Sequence, residues 1–147
     1  MDKNISKITI AILMPGDMGH GCGQAFKENG FNVVSCLNQR SDRTKKLAFA
    51  AGIEDLKTID NVIEASDLIL SILPPESALK QAEAINSKIL KFKKKITYVD
   101  CNAISPKTAK KISDTISSQF CNFIDIKKLY IINFNNSKFN NFLFNII

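Results

Sequence analysis

The chain has 147 residues, 45% of them hydrophobic, and a formal net charge of +6. That is enough for one domain with its own core and an ordinary globular composition. The positive residues are scattered apart from Lys91, Lys93, Lys94 and Lys95, which close a helical segment where cations are favoured, so a solvated helix end is expected there and a nucleic-acid surface is not.

The run Ile8 to Leu13 is apolar and rich in β-branched residues, as a buried parallel strand requires, and Pro15-Gly16 ends it. A helical pattern follows at once. Met18, Cys22, Ala25 and Phe26 recur at helical spacing and predict the sheet-facing stripe, with Gly30 as the C-terminal cap. Strand, glycine turn and helix together can cradle a pyrophosphate, because a helix N-terminus offers unpaired amides and the positive end of its dipole. The turn reads Met14-Pro15-Gly16-Asp17-Met18-Gly19. Gly16 can let a phosphate approach the backbone, and Gly19 lets helix and strand pack closely. Met14 stands where the dinucleotide pattern has its first glycine, so the turn alone is also compatible with a plain structural crossover. Asp17 suits helix-start capping. His20 has no neighbouring His or acid cluster with which to build a metal site.

Phe31 to Leu37 predicts a second strand and completes a βαβ unit. The segment after it, Asn38-Gln39-Arg40-Ser41-Asp42-Arg43-Thr44, bears on cofactor choice. A site for NAD places a carboxylate here for the ribose 2′-hydroxyl, whereas a site for NADP places arginine for the 2′-phosphate. Asn38 ends the strand, Arg40 and Arg43 offer forked donors and Ser41 a hydroxyl, which favours NADP. The alternative is that both arginines simply begin the next helix in solvent, with Asp42 as its N-cap.

Further helices are expected over Lys45 to Ala51 and Ile59 to Ala65, and a strand over Asp67 to Leu73, turned outward by Pro74-Pro75. Leu73, Pro74 and Pro75 then sit at the carboxyl edge of the sheet, where ligands of open α/β folds bind. Leu79, Ala82, Ile85 and Ile89 mark a helix, Ile96 to Asp100 a strand, and Ser105-Pro106 the start of a helix with Ala109, Ile112, Ile116 and Phe120 on one face. A last short strand is expected over Asn122 to Asp125. The alternation predicts a single-domain, Rossmann-type α/β fold with a doubly wound, mostly parallel sheet. The cysteines 22, 36, 101 and 121 form no C-x-x-C pair, and no secretory leader precedes them, so reduced thiols in a cytoplasm are expected, with Cys22 and Cys36 as core residues.

On these residues the chain resembles the NADP-binding domain of the β-hydroxyacid dehydrogenase family, which includes 6-phosphogluconate and 3-hydroxyisobutyrate dehydrogenases. The resemblance covers about residues 5–125 and rests on Pro15-Gly16-Asp17-Met18-Gly19, Arg40-Ser41, Leu73-Pro74-Pro75, and Asp100-Cys101-Asn102-Ala103-Ile104-Ser105-Pro106. It implies that Asn38, Arg40, Ser41 and Arg43 hold the 2′-phosphate end of NADP, and that Asn102 and Ala103 stand where relatives carry Ser and Thr for the substrate carboxylate. It also implies hydride transfer on a hydroxyacid with a catalytic lysine and a helical second domain. Lys107, Lys110 and Lys111 are not that lysine.

Residues 126–147 hold six Asn, five Ile, four Phe and three Lys, a bias expected of a lost reading frame in an AT-rich gene or, alternatively, of a divergent tail adding an edge strand. Asn and Lys interrupt it too often for a membrane span. The expected protein is an NADP-binding domain, 1–125, without catalysis of its own and acting on a small hydroxyacid only if the missing domain is supplied. The alternatives are a non-catalytic NADP-sensing or interaction module, and a fragment without function.

Overall fold

The computed structural model describes residues 8–126. Its order is β1 (Thr9–Ile12), α1 (Asp17–Glu28), β2 (Asn32–Ser35), α2 (Asp42–Ala50), β3 (Glu54–Asp55), α3 (Ile59–Ala65), β4 (Leu68–Ser71), α4 (Ala78–Phe92), β5 (Ile96–Asp100), α5 (Pro106–Ile116) and β6 (Cys121–Asp125). A 3-10 turn, Pro75–Ser77, leads into α4.

The strands form one six-stranded sheet in the order β3-β2-β1-β4-β5-β6. Every neighbouring pair is parallel, with Ile10 opposite Val33 on one side and Ala11 opposite Ile69 on the other. The chain winds outward from β1 to β3, then crosses back to β4 and winds the other way. The order therefore reverses between β1 and β4, and a crevice opens there at the carboxyl edge.

Alternation along each strand divides the core in two, because successive side chains leave opposite faces of the sheet. Ile10, Ile12, Val33, Leu68, Leu70 and Val99 pack with Phe26 of α1 and Ala48 of α2. Ala11, Val34, Ile69 and Tyr98 pack with residues of α3, α4 and α5, among them Val62, Ile85, Ile89 and Ile112. Both faces are covered, which explains why the strands read as continuous apolar runs. Ile69 is fully buried, and truncating such a side chain to alanine costs about 2–5 kcal/mol.

The strands are shorter than their apolar runs suggest, for identifiable reasons. β2 stops at Ser35, and the Leu37 amide donates to Asp55 Oδ1 at 3.0 Å instead of continuing the ladder. β4 stops at Ser71 because the Leu73 amide turns to Asn102 Oδ1 at 2.7 Å and the prolines that follow have no N–H. The edge strand β3 was not expected. Helix α5 ends at Ile116, so Phe120 lies beyond it and packs against the core from the loop. The lysine-rich end of α4 is bound as well as solvated: Lys88 and Lys91 pair with Asp60 of α3, and Lys94 Nζ donates to the Glu64 carbonyl at 2.5 Å. Ile126 packs against the α1 side of the core, and the rest of the Asn/Ile/Phe/Lys-rich stretch lies outside the described residues. No helix among the described residues is long and apolar enough to cross a membrane.

Candidate nucleotide site

Three helices begin with a hydroxyl cap: Ser41 accepts from the Thr44 amide, Thr58 from Asn61 and Ser105 from Thr108. Helices α1 and α4 have no side-chain cap. These two follow β1 and β4, the strands that flank the crevice. The first turn of α1 thus keeps amide hydrogens that no side chain has claimed, at the place where an anion gains most from the helix dipole, whereas at α4 the preceding 3-10 turn takes the Ser77 and Ala78 amides on the carbonyls of Pro74 and Pro75. Among the described residues, no hydrogen bond or ion pair joins the loop 14–19 to the loop 72–77, so the crevice between them is not bridged.

Gly16 is the N-cap of α1, and its amide donates to the Met14 carbonyl at 2.9 Å. A Cβ there would meet no atom within 4 Å, so the space before it is open. Gly19 is the opposite case: a Cβ would stand 2.3 Å from the Met14 carbonyl oxygen. Gly19 seats the helix on the strand, and Gly16 leaves its end bare. Pro15 is buried beneath them.

The stripe of α1 differs from expectation. Met18 is 72% exposed and Ala25 is exposed, while Gly19, Gly23 and Phe26 are buried and Cys22 is partly so. Close approach is the reason, since two glycines one helical turn apart draw the helix down on that side. A Cβ on Gly23 would stand 2.5 Å from Ile53 Cδ1 and 3.2 Å from Ile12 Cδ1. Sequence reasoning missed Gly23, although the repeat of glycine at i and i+4 was its signal.

After β2 the chain makes a tight turn in which the Arg40 amide donates to the Leu37 carbonyl at 3.1 Å and Gln39 takes φ 61°. Asn38 and Gln39 form its exposed tip. The turn sends Arg40 back toward β1, where Nη2 donates to the Leu13 carbonyl at 3.3 Å. Arg40 Nε is buried without a partner among the described residues. Arg40 therefore lies beside the glycine corner with a donor unspent. A buried unpaired donor is uncommon and costs about 1–3 kcal/mol, so an acceptor supplied from outside would find it ready.

Ser41, not Asp42, is the N-cap of α2, and its hydroxyl also donates to Thr44 Oγ1 at 3.1 Å. Asp17 makes no capping bond either. Its carboxylate instead pairs with Arg43, at 2.5 Å between Oδ1 and Nη2. The guanidinium beside it holds the Asp17 carboxyl below the usual carboxylate range. His20 Nδ1 donates to the Gly16 carbonyl at 2.7 Å, which fixes the proton on that nitrogen. No group of His, Cys, Asp or Glu among the described residues could hold a metal.

On the other flank, Leu73 is half-buried and Pro74 and Pro75 are exposed at the mouth of the crevice. Asn102 is 3% exposed and its amide is fully committed. Oδ1 accepts from the Leu73 amide, and Nδ2 donates to Ser71 Oγ and Asp100 Oδ2, both at 3.0 Å. The Asn102 backbone amide donates to Asp100 Oδ1 at 2.9 Å. This bracket ties the end of β5 to the end of β4. Ala103 beside it is exposed. A cavity of about 330 Å³ opens at the other edge of the sheet, near Asp67, Lys95, Thr97 and Gln119, and none of the residues above lines it.

The residues present suit a dinucleotide: an uncapped helix start, an open glycine and an arginine with a free buried donor converge on one crevice. The comparisons agree. The NAD binding domain of 6-phosphogluconate dehydrogenase matches residues 9–126. A curated relative, an uncharacterized 28.5 kDa protein from Methanothermus fervidus, is 34% identical over 110 residues, covering 75% of this chain and 41% of its own length. Among solved structures, a conserved protein of unknown function described as similar to 3-hydroxyacid dehydrogenases superposes with TM-score 0.69 at 23% identity, covering 79% of this chain and 42% of that one. Prephenate dehydrogenase from A. aeolicus, in complex with hydroxyphenyl propionate and NAD+, gives TM-score 0.65 at 16% identity, covering 84% and 42%. The chain thus spans about two fifths of the length of these relatives. It belongs to the family of the NAD binding domain of 6-phosphogluconate dehydrogenase.

Proposed function

We propose that the chain binds NADP rather than NAD across the β1/β4 crevice, as the nucleotide half of a hydroxyacid oxidoreductase. The observation that carries this reading is Arg40, which reaches Leu13 at the glycine corner and keeps a buried Nε without a partner among the described residues. Gly16 and the first turn of α1 would hold the pyrophosphate, and Arg40 and Arg43 the 2′-phosphate, with Asn38 and Ser41 at its margin. Met18, Leu73, Pro74 and Pro75 would line the nucleotide. Neighbours of this fold solved with NAD+ and with NADPH support the view that the fold itself does not choose between the cofactors, so the choice would lie in these side chains.

The bound cofactor would accept or deliver a hydride, and the substrate would be a small hydroxyacid. This chain's part is to anchor and orient the nucleotide. Lys107, Lys110 and Lys111 lie on or beside the exposed face of α5, where Lys110 pairs with Asp114 at 3.0 Å, and none is proposed as the catalytic lysine. Catalysis would need residues supplied from elsewhere.

A second reading is favoured by the Asn102 bracket: binding of NADP without turnover, as a sensing or interaction module. Relatives are expected to present hydroxyls at these two positions, whereas here Asn102 is spent within the chain and Ala103 has no donor on its side chain. Calorimetric titration with NADPH and NADH tests the cofactor assignment. NADPH should bind the more tightly, and Arg40→Ala should weaken NADPH about tenfold or more while changing NADH little, as expected for losing hydrogen bonds to a charged group. Equal losses for both cofactors would refute the assignment. Turnover of hydroxyacids by the chain alone would refute the sensing reading.

A further inference from the structure

Asp17 and Arg43 belong to different helices, yet they meet end-on, through both terminal nitrogens of the guanidinium. Nη2 stands 2.5 Å from Oδ1 and Nη1 3.3 Å from Oδ2, the two-pronged geometry that gives an arginine–carboxylate pair its directionality. Both side chains are about two-thirds exposed, at 68% and 69%, so the pair is accessible to a solute and contributes little to the fold. Its location carries the argument. Asp17 is the first residue of α1 and sets a negative charge where the helix dipole favours one. Arg43 lies in the first turn of α2, just beyond the turn that aims Arg40 at the glycine corner.

The pair therefore occupies, with the chain's own charges, both ends of the polar track that a phosphorylated dinucleotide would follow. Asp17 stands in for an anion at the helix start, and it also satisfies the guanidinium available to a second anion. We propose that Asp17 is a specificity-determining residue: it latches Arg43 shut, and a 2′-phosphate opens the latch by exchanging places with the carboxylate. The proposal rests on the dinucleotide reading above. A cofactor with only a 2′-hydroxyl offers Arg43 nothing in return and leaves the pair closed. Asp17 then subtracts from the affinity of both cofactors through its charge, and subtracts more from the phosphorylated one because that ligand must also break the pair.

The test is a double-mutant cycle with Asp17→Asn and Arg43→Gln, read by titration with NADPH, NADH, adenosine 2′,5′-bisphosphate and 5′-AMP. Thermal melts accompany each variant to confirm that it folds. Asp17→Asn should tighten NADPH about two- to fivefold more than NADH, the scale of an exposed ion pair. The bisphosphate should show the same excess over 5′-AMP. In the Arg43→Gln background, the excess gain of the 2′-phosphorylated ligands on Asp17→Asn should shrink to what their extra charge alone gives, since no latch remains to release. An equal gain for NADPH and NADH in the first variant would overturn the latch while leaving the dinucleotide site intact. A selective gain of undiminished size without Arg43 would overturn it too. Failure of the unaltered chain to bind either cofactor would remove the dinucleotide reading itself, and the latch with it.

Discussion

Two loops at the carboxyl edge of the sheet are built on opposite principles. The loop 14–19 leaves its polar groups open: an uncapped helix, a glycine with empty space before it and, beside it, an arginine with an unspent donor. The loop after β5 spends everything internally, with both amide atoms of Asn102 and both carboxylate oxygens of Asp100 engaged. The first is arranged to receive a partner and the second to keep a shape. Mutations in the first should alter binding more than stability, and mutations in the second the reverse.

The sharpest way to break this contrast is Asn102→Ala. It strips the Leu73 amide of its acceptor and removes the Nδ2 donor from Asp100 Oδ2 in a buried setting, and should cost about 3 kcal/mol in denaturant unfolding. A loss under 1 kcal/mol would mean that water replaces the bracket. Next comes the glycine pair. Gly19→Ala drives a Cβ into the Met14 carbonyl and should cost about 1–3 kcal/mol. Gly16→Ala meets no atom of the chain and should change stability by less than about 0.5 kcal/mol, yet it should abolish nucleotide binding in the same titrations. Equal effects of the two substitutions on melting would show that Gly16 is structural as well.

Alkaline pH probes the buried interior. Burial pushes the Cys101 thiol from its ordinary value of 9.0 up to about 12, and the Cys121 thiol up to about 11. In the unfolded chain these thiols lose their protons from pH 9 upward, whereas in the folded chain they stay neutral. Stability should therefore hold constant up to about pH 8 and fall between pH 9 and 11, as followed by denaturant melts across that range. A rise over that interval would contradict the burial of these side chains. The smallest effect is expected from Tyr98→Phe. The Tyr98 hydroxyl is buried near Ser71 and makes no hydrogen bond of good geometry among the described residues, so removing it should shift stability by less than about 0.5 kcal/mol or raise it.

Much of the fold was legible because the strands are buried on both faces and announce themselves as apolar runs. Ile8 to Leu13, Asp67 to Leu73 and Ile96 to Asp100 each contain a strand of the central sheet. Their ends were not legible, since each is set by a side chain distant in sequence: Asp55 captures the Leu37 amide, and Asn102 captures that of Leu73. The site was half legible. Glycine and arginine at the right offsets indicated the crevice, but the turn that brings Arg40 home depends on Gln39 adopting a left-handed conformation, which no glycine or asparagine advertised. Met18 had the periodicity of a core residue and is exposed, because the two glycines on the adjacent face bring the helix down on their own side. Asn102 looked like a ligand donor and serves as a brace, a difference that only the positions of Ser71 and Leu73 reveal.

The contact between Gly23 and Ile53 has a wider consequence. Ile53 lies just before β3, near the outer margin of the sheet, yet its methyl end sets how deeply the rear half of α1 can sink, and a rigid rod that pivots at the back must move at the front. The height of the amides at the mouth is thus adjusted by a hydrophobic shim well behind them. Homologues could retune their hold on the same cofactor by changing the bulk of one aliphatic side chain that never touches it.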